Sequence, residues 1–308
     1  MKRSLLFLVV SMISFGVADM TLAQDRRDYF EIRSGHGQLN PSPSMVFTAD
    51  DHTVSYFSRG RDIDPMPPSR YFGIGKYTVS LTGTYRQHVD LVKATLSSRT
   101  IPQIHAINKG AVLVYSFDKG GHHYEGTYNY QFDEPFNENL SVLYDLAHEL
   151  LAHGAPEINL HPTFSVRSTA DHLAVDLTFT NDGKQDVTVA GPDHWSPDLA
   201  RPDLQYVQIG GSNKLVSFHV RLFGKYLSDA SRHYRREIVV KPGQHEKVEF
   251  LVPYADLAYD ARSPMRRVEA GNYGFVGKVN LDILRPEEMD GRFFTPMDRL
   301  DNVTLSGK

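Results

Sequence analysis

The sequence predicts an α+β N-terminal domain followed by an all-β sandwich. Residues 24–157 alternate short apolar strands with two amphipathic helical segments. Residues 158–308 consist almost wholly of short alternating strands separated by turns rich in Gly, Pro and Asn. Residues 1–23 have the composition of an export signal and are set apart from both. These patterns favour an antiparallel sheet with two helices, followed by two packed sheets.

The first 23 residues are predicted to be a cleavable secretory signal peptide. Lys2 and Arg3 precede an apolar run over residues 5–17, which is shorter than the roughly 20 residues of a membrane-spanning helix. Cleavage after Ala23 is preferred over cleavage after Ala18, because polar residues follow Ala23 directly. We therefore expect a periplasmic or secreted protein, and no later stretch predicts a transmembrane segment.

The composition excludes several classes of protein. The chain has no cysteine, which excludes disulfide scaffolds, thiolate zinc sites, cysteine nucleophiles and lipid attachment through a cysteine. Its formal net charge is −4 at pH 7, whereas a general nucleic-acid-binding protein has a strong basic excess. We therefore expect no nucleic-acid partner.

The predicted first domain contains two helices and a hairpin. The first helix is expected to begin at Thr84 as N-cap, and the second to span residues 138–153 and end before Gly154. The buried stripe of the first helix is predicted to be Tyr85, Val89, Val92 and Leu96. Between the helices, the turn sequence from Asp118 to Gly121 predicts a hairpin. This order indicates helices packed on an antiparallel sheet.

Three segments of the second domain share a recurring pattern. The strand from Val175 ends in Asn-Asp-Gly, the turn Val240-Lys-Pro-Gly precedes a strand through Val248, and Gly271-Asn-Tyr opens a late strand. Over residues 163–284 this pattern resembles bacterial immunoglobulin-like domains. The resemblance implies a sandwich of the kind used by adhesion, chaperone, inhibitor and accessory modules, and it implies no activity. No family resemblance is found for residues 24–157.

Motifs that suggest chemistry lack the spacing that the chemistry needs. His148 and His153 are five residues apart, about 140° around a helix, whereas zinc proteases place two histidines four apart. Strand alternation leaves only His123 and Glu125 as paired neighbours in the histidine-rich hairpin, too few for a metal. Neither a nucleophile elbow nor a dinucleotide fingerprint is present. The sequence therefore predicts no metal site and no cofactor.

Two loops are the predicted binding sites. Residues 191–203 contain the only tryptophan, Trp195, beside His194, and three prolines that stiffen the loop. The alternative is that Trp195 plugs the interface between the halves or caps the sandwich. Residues 262–267 form a basic loop that suits an acidic partner, with a solvated turn as the alternative. The candidate binding residues of this loop are Arg262, Arg266 and Arg267.

These observations predict a non-catalytic binding protein of the bacterial envelope. We expect it to recognise a protein partner, in an inhibitor, immunity or assembly role. One alternative is an envelope-directed hydrolase with its site in the N-terminal domain or at the domain junction. Asp145, His148 and Glu149 share a polar helix face and are its candidate residues. The other alternative is a structural subunit of a surface assembly.

Overall fold

The fold is mostly antiparallel β-structure, as the sequence predicts. The computed structural model describes residues 30–36, 45–50, 52–59, 74–98, 111–129, 142–198, 204–287 and 291–307. The predicted signal peptide lies outside the described residues. Within the described ranges, no helix is long and apolar enough to cross a membrane.

The N-terminal part contains six strands and two helices among the described residues. The strands are β1 (Phe30–His36), β2 (Met45–Ala49), β3 (Thr53–Arg59), β4 (Ile74–Ser80), β5 (Ala111–Lys119) and β6 (His122–Asn129). The helices are α1 (Gly83–Ser97) and α2 (Val142–His153).

The C-terminal part continues with ten strands in the described ranges. They are β7 (Ala155–Ser168), β8 (His172–Asn181), β9 (Val187–Ala190), β10 (Tyr206–Ser212), β11 (Ser217–Leu222), β12 (Glu237–Val240), β13 (Gln244–Pro253), β14 (Ala258–Tyr259), β15 (Gly271–Arg285) and β16 (Gly291–Leu305).

Helix α1 buries the stripe that its spacing predicts. Val89, Val92 and Leu96 are buried, and Tyr85 packs partly buried against the same core. The helix begins earlier than expected, because the backbone N–H of Tyr85 already donates to the carbonyl of Thr82, which is the N-cap in place of Thr84. Helix α2 ends at His153, as predicted. The start expected for α2, at residue 138, lies outside the described residues.

The predicted hairpin joins β5 to β6 through a two-residue turn. Gly120 and Gly121 both have positive φ, 58° and 78°, and Lys119 pairs with His122 across the turn. Two successive left-handed residues match the right-handed twist of the strands, which is why glycine is favoured at both. Beyond the turn, Tyr124 stacks on Phe117 with ring centroids 5.3 Å apart, so the hairpin contributes to the core.

One nine-stranded antiparallel sheet, sheet A, runs through both parts of the chain. Its order is β13-β8-β7-β4-β3-β2-β1-β5-β6. Tyr56 faces a core built with α1 and α2, whereas Phe57 on the other face belongs to a larger core shared with the C-terminal strands. The predicted boundary at residues 157 and 158 falls inside β7, which pairs with β4 on one side and β8 on the other.

The second sheet, sheet B, packs its inner face against the C-terminal strands of sheet A. Its order is β12-β9-β15-β10-β11-β14, and β16 pairs along β15. Because β16 occupies one edge of β15, β9 and β10 pair end to end with the opposite edge. Inward side chains such as Val207, Phe218 and Phe275 complete the larger core with Phe250 of β13. The outer face of sheet B is the surface on which the candidate site lies.

Candidate binding site

Trp195 lies in the larger core. Its side chain is 4% exposed, its Nε1 donates to the carbonyl oxygen of Ala190 at 2.8 Å, and its ring centroid is 5.7 Å from that of Phe250. A short 3₁₀ turn, Pro192–His194, directs the chain inward at this point. This position favours the packing alternative for Trp195 over the binding alternative, because the indole is turned away from the surface.

The rest of the tryptophan loop presents polar groups. His194 is exposed, and the neighbouring Asp193 accepts hydrogen bonds from Nε of Arg235, with both carboxylate oxygens at 3.0 Å. The hydrogen bonds to Asp193 raise the pKa of Arg235 above its ordinary value. Among the described residues of this loop, Asp193, His194, Pro197 and Asp198 are exposed, and a binding role for His194 stays a prediction.

Two of the three arginines of the basic loop form hydrogen bonds within the protein. Nη1 and Nη2 of Arg266 donate to the carbonyl oxygens of Asp260 and Ala261, the second at 3.0 Å, which holds the loop against the preceding turn. Nε of Arg267 donates to a carboxylate oxygen of Glu269 at 2.6 Å. The side chain of Arg262 is exposed. Arg262 is thus the arginine of this loop that is most open to a partner.

Both predicted loops contact the same strand, β11. The carbonyl oxygen of Pro197, in the tryptophan loop, accepts a hydrogen bond from Nη1 of Arg221. Asp260, which precedes the basic loop, accepts from Nε2 of His219 at 3.0 Å. His219 and Arg221 are two residues apart, so they project from the same outer face of the strand. The structure therefore brings both loops into contact with side chains on the outer face of β11.

A groove of about 410 Å³ lies on that surface, across four strands. It is open to solvent above the central strands of sheet B, next to His219 and Arg221, the two residues that contact the loops. Its lining side chains and backbone include Gln208, Gly210, His219, Val276, Lys278 and Phe294. Pockets of a few hundred Å³ with mixed polar and apolar walls are typical of ligand sites.

The floor of the groove is formed at Gly210. Strand register places Gly210 directly opposite His219 on β11 and Val276 on β15. A Cβ at this position would lie 3.2 Å from Nδ1 of His219 and 3.6 Å from a methyl carbon of Val276. The space left by the missing side chain is therefore only about one methyl group wide, between the imidazole and the valine of the two neighbouring strands.

Two residues further along the strands, the side chains that face each other across neighbouring strands are polar, and we call this set the polar row. Gln208 stands directly opposite Arg221 on one side and Lys278 on the other. Gln208 as a residue is only 9% exposed, and its side chain forms no hydrogen bond with any residue that the structure describes. Nζ of Lys278 lies 5.6 Å from the ring centroid of Tyr206, a cation–π contact that keeps the ammonium over the sheet. Two cations therefore flank one buried amide.

Asp260 fixes the orientation of the His219 imidazole. The carboxylate accepts from Oγ of Ser217 at 2.6 Å and contacts Nε2 of His219 at 3.0 Å. The Ser217 hydrogen bond is the largest influence that holds the pKa of Asp260 below its ordinary value, and the charge of His219 adds to it. Because Nε2 is engaged, Nδ1 is left over Gly210, where it is buried and has no hydrogen-bond partner among the described residues.

The arrangement offers groups for binding rather than a nucleophile. Ser217 donates to Asp260 and not to His219, so the three residues are not ordered as in a catalytic triad. On α2, Asp145 and Glu149 are exposed, and the side chain of His148 is not among those that the structure describes. In the described ranges, no group of three or more histidines and carboxylates is placed to hold a metal ion.

None of the lining residues of the groove is among the site residues predicted from the sequence. Gln208, Gly210, Val276 and Lys278 come together only through strand register. One sequence signal was available, because a Gly-Gly pair inside a strand, as at residues 210–211, often marks a close approach of a ligand or another chain.

Comparison with known proteins adds no relative. No protein-family model and no curated protein matches the chain. Among solved structures, a weak likeness is to one described as the complete structure of manganese lipoxygenase of Gaeumannomyces graminis and partial structure of zonadhesin of Komagataella pastoris. The identity is 9%, the match covers 92% of this chain and 84% of that chain, and the TM-score is 0.14. A likeness at this TM-score supports no argument about fold or function.

Proposed function

We propose that the protein is an exported, non-catalytic binding protein that recognises a protein partner through the outer face of sheet B. The observation that supports this most directly is the groove, where Val276 is 55% exposed in the centre of a sheet. Val276 lines this groove together with half-buried Phe294, and a concave surface with apolar and polar lining supports a binding role. The predicted loops border this surface and would form its rim.

The wider proposal follows the sequence. Residues 1–23 would direct export to the periplasm or beyond, and residues 24–157 would form an α+β domain. Residues 158–308 would be the immunoglobulin-like recognition part. His194 and Arg262 would contact the partner at the rim of the groove, because both side chains are exposed on the loops that meet β11. Rim charges of this kind mainly steer association.

A capture experiment with matched variants tests the proposal. The mature chain is immobilised as wild type, Val276→Glu and Val239→Glu, and each is exposed to an envelope extract. Val239 is also an exposed valine of sheet B, but it lies on β12, away from the groove. We expect wild type and Val239→Glu to retain the same protein, and Val276→Glu to lose it, because a buried glutamate in the interface would be unpaired.

Two results would contradict the proposal. One is retention of the same proteins by wild type and Val276→Glu, which would remove the groove from the interface. The other is an equal loss in both glutamate variants, which would show that the effect comes from added charge and not from the groove. Circular dichroism of each variant establishes that the fold is intact before capture.

A further inference from the structure

Several polar groups at the groove have hydrogen-bonding capacity that the protein does not use. Gln208 as a residue is 9% exposed, and its side-chain amide forms no hydrogen bond among the described residues. Within the same ranges, Nδ1 of His219 and Nε of Arg221 are buried and also lack a partner. Buried polar groups in folded proteins are nearly always hydrogen-bonded, so the unused capacity of Gln208 and His219, which both line the groove, favours a polar ligand.

The sign of the ligand follows from the charges around Gln208. Arg221 and Lys278 flank the amide in register, and the groove lining contains no carboxylate. Asp260 is engaged by His219 and Ser217, and Asp282 by Nε2 of Gln205 at 2.6 Å, while the exposed Asp298 lies in the β16 bulge opposite Val276 and outside the Gln208 row. Arginine and lysine only donate hydrogen bonds. The site is therefore suited to an anion.

The apolar part of the ligand follows from the neighbouring row. Val276 and Gly210 lie two residues along the strands from Lys278 and Gln208, which corresponds to about 7 Å. Half-buried Phe294 is opposite Asn280, so it lies beyond the Lys278 row on the side away from Val276. A ligand that fills both rows must present an anionic group and an apolar group within this distance. Inorganic phosphate or a phosphodiester would leave the apolar row empty.

We infer that the groove binds the C-terminal residue of a protein partner, with its free carboxylate at the Gln208 row and an apolar side chain over Gly210 and against Val276. A C-terminal residue meets the spacing because its carboxylate and its side chain are attached to the same Cα. The inference rests on the proposed function, since it names the part of the partner that the groove holds.

The test uses small probes of defined chemistry on the full mature chain. N-acetyl-leucine has the carboxylate and the apolar side chain, N-acetyl-leucinamide lacks the charge, and N-acetylglycine lacks the side chain. Calorimetry or NMR titration measures each affinity. We expect N-acetyl-leucine to bind about tenfold or more tightly than either analogue, because each analogue loses a charge-assisted hydrogen bond or apolar burial. Equal binding of the acid and the amide would overturn the inference.

Variants locate the binding to the polar row. Lys278→Gln is expected to weaken N-acetyl-leucine by about tenfold, whereas Lys241→Gln, in an exposed turn, is expected to leave it unchanged. Gly210→Ala places a methyl group on the floor and should weaken N-acetyl-leucine while sparing N-acetylglycine. Unchanged binding in Lys278→Gln, or an equal effect of the two lysine variants, would overturn the assignment.

Two further probes separate other sources of the anion. A peptide with an internal glutamate beside leucine and an amidated C-terminus must bind more weakly than the same peptide with a free C-terminus. Inorganic phosphate must bind more weakly than N-acetyl-leucine. The opposite result in either case overturns the inference. Partner capture that is lost in Val276→Glu but kept in Lys278→Gln would overturn the carboxylate assignment and leave the proposed function standing.

Discussion

Trp195 donates its indole N–H to the carbonyl oxygen of Ala190, the last residue of β9, at 2.8 Å. The tryptophan loop is therefore attached to the strand end from which it departs. Since the ring also packs against Phe250 of β13, this side chain links sheet B to sheet A through the core. Its large apolar surface and its single donor are both used inside the protein.

Trp195→Phe is expected to lower the free energy of unfolding by about 1–3 kcal/mol, because the Ala190 carbonyl is left buried and unpaired. Trp195→Ala should lower it by about 3–5 kcal/mol through loss of the buried ring. Urea unfolding followed by far-UV circular dichroism measures both. His194→Ala, at the exposed neighbour, should change it by less than about 0.5 kcal/mol. Stability of Trp195→Phe equal to wild type would show that the indole hydrogen bond contributes nothing.

Tyr234 should titrate at unusually high pH. Burial is the main cause that raises its pKa to about 12, and the hydrogen bond from its hydroxyl to the Glu246 carboxylate adds to it. Because the folded-state pKa is above the unfolded value of 10.0, the stabilisation is complete below about pH 10 and is lost as pH rises toward 12. The stability advantage of wild type over Tyr234→Phe should decline across this window. Phenolate absorbance should show a late step that Tyr234→Phe lacks, and an unchanged step in that variant would refute the assignment.

The stabilising contribution of Asp260 should be lost in acid, whereas that of Tyr234 is lost in alkali. Its pKa is lowered below the ordinary value of 3.8, first by the Ser217 hydrogen bond and then by His219. Its contribution is therefore present above pH 3.8 and is lost as pH falls below that value. Asp260→Asn should lower the free energy of unfolding by about 1 kcal/mol at neutral pH, and the difference from wild type should shrink in acid. Asp171→Asn, at an exposed turn, serves as the control, and an equal effect there would exclude a specific role for Asp260.

The hairpin turn allows a prediction from backbone conformation alone. Gly120 has φ of 58°, where a Cβ is strained although no atom of the described residues lies nearby. Gly120→Ala should lower the free energy of unfolding by about 1 kcal/mol. Gly120→Asn should cost less, because asparagine is favoured at the first position of this turn type. Urea unfolding ranks the two variants, and equal stability of both would contradict the backbone explanation.

Local patterns in the sequence predict local structure well in this chain. The stripe of α1 and the turn at Gly120 are confirmed, because helix periodicity and paired glycines each specify a conformation within a few residues. Strand β7 is not predicted from the sequence, and Pro156 and Pro162 are residues that disfavour a strand paired on both sides. Each proline lies where β7 has a single hydrogen-bonded neighbour, Pro156 on the β4 side and Pro162 on the β8 side.

The candidate site was only partly accessible from the sequence. The charge of the basic loop predicts a binding role, and the loop lies next to the groove through Asp260 and His219. The pairing of Gln208 with Lys278 depends on the register of strands far apart in sequence, which no local pattern specifies. The prominence of Trp195 in the sequence suggested a surface anchor, whereas burial decides its packing and only the fold determines burial.

Because β4 pairs with β7, one continuous sheet, sheet A, separates the two hydrophobic cores and forms a wall of each. Tyr56 and Phe57 are consecutive residues on opposite faces of sheet A, and each belongs to a different core. Loss of either core would expose one side of the sheet that supports the other. We therefore expect a single cooperative melting event rather than two, and we expect fragments cut between residues 157 and 158 to aggregate through their newly exposed strand edges.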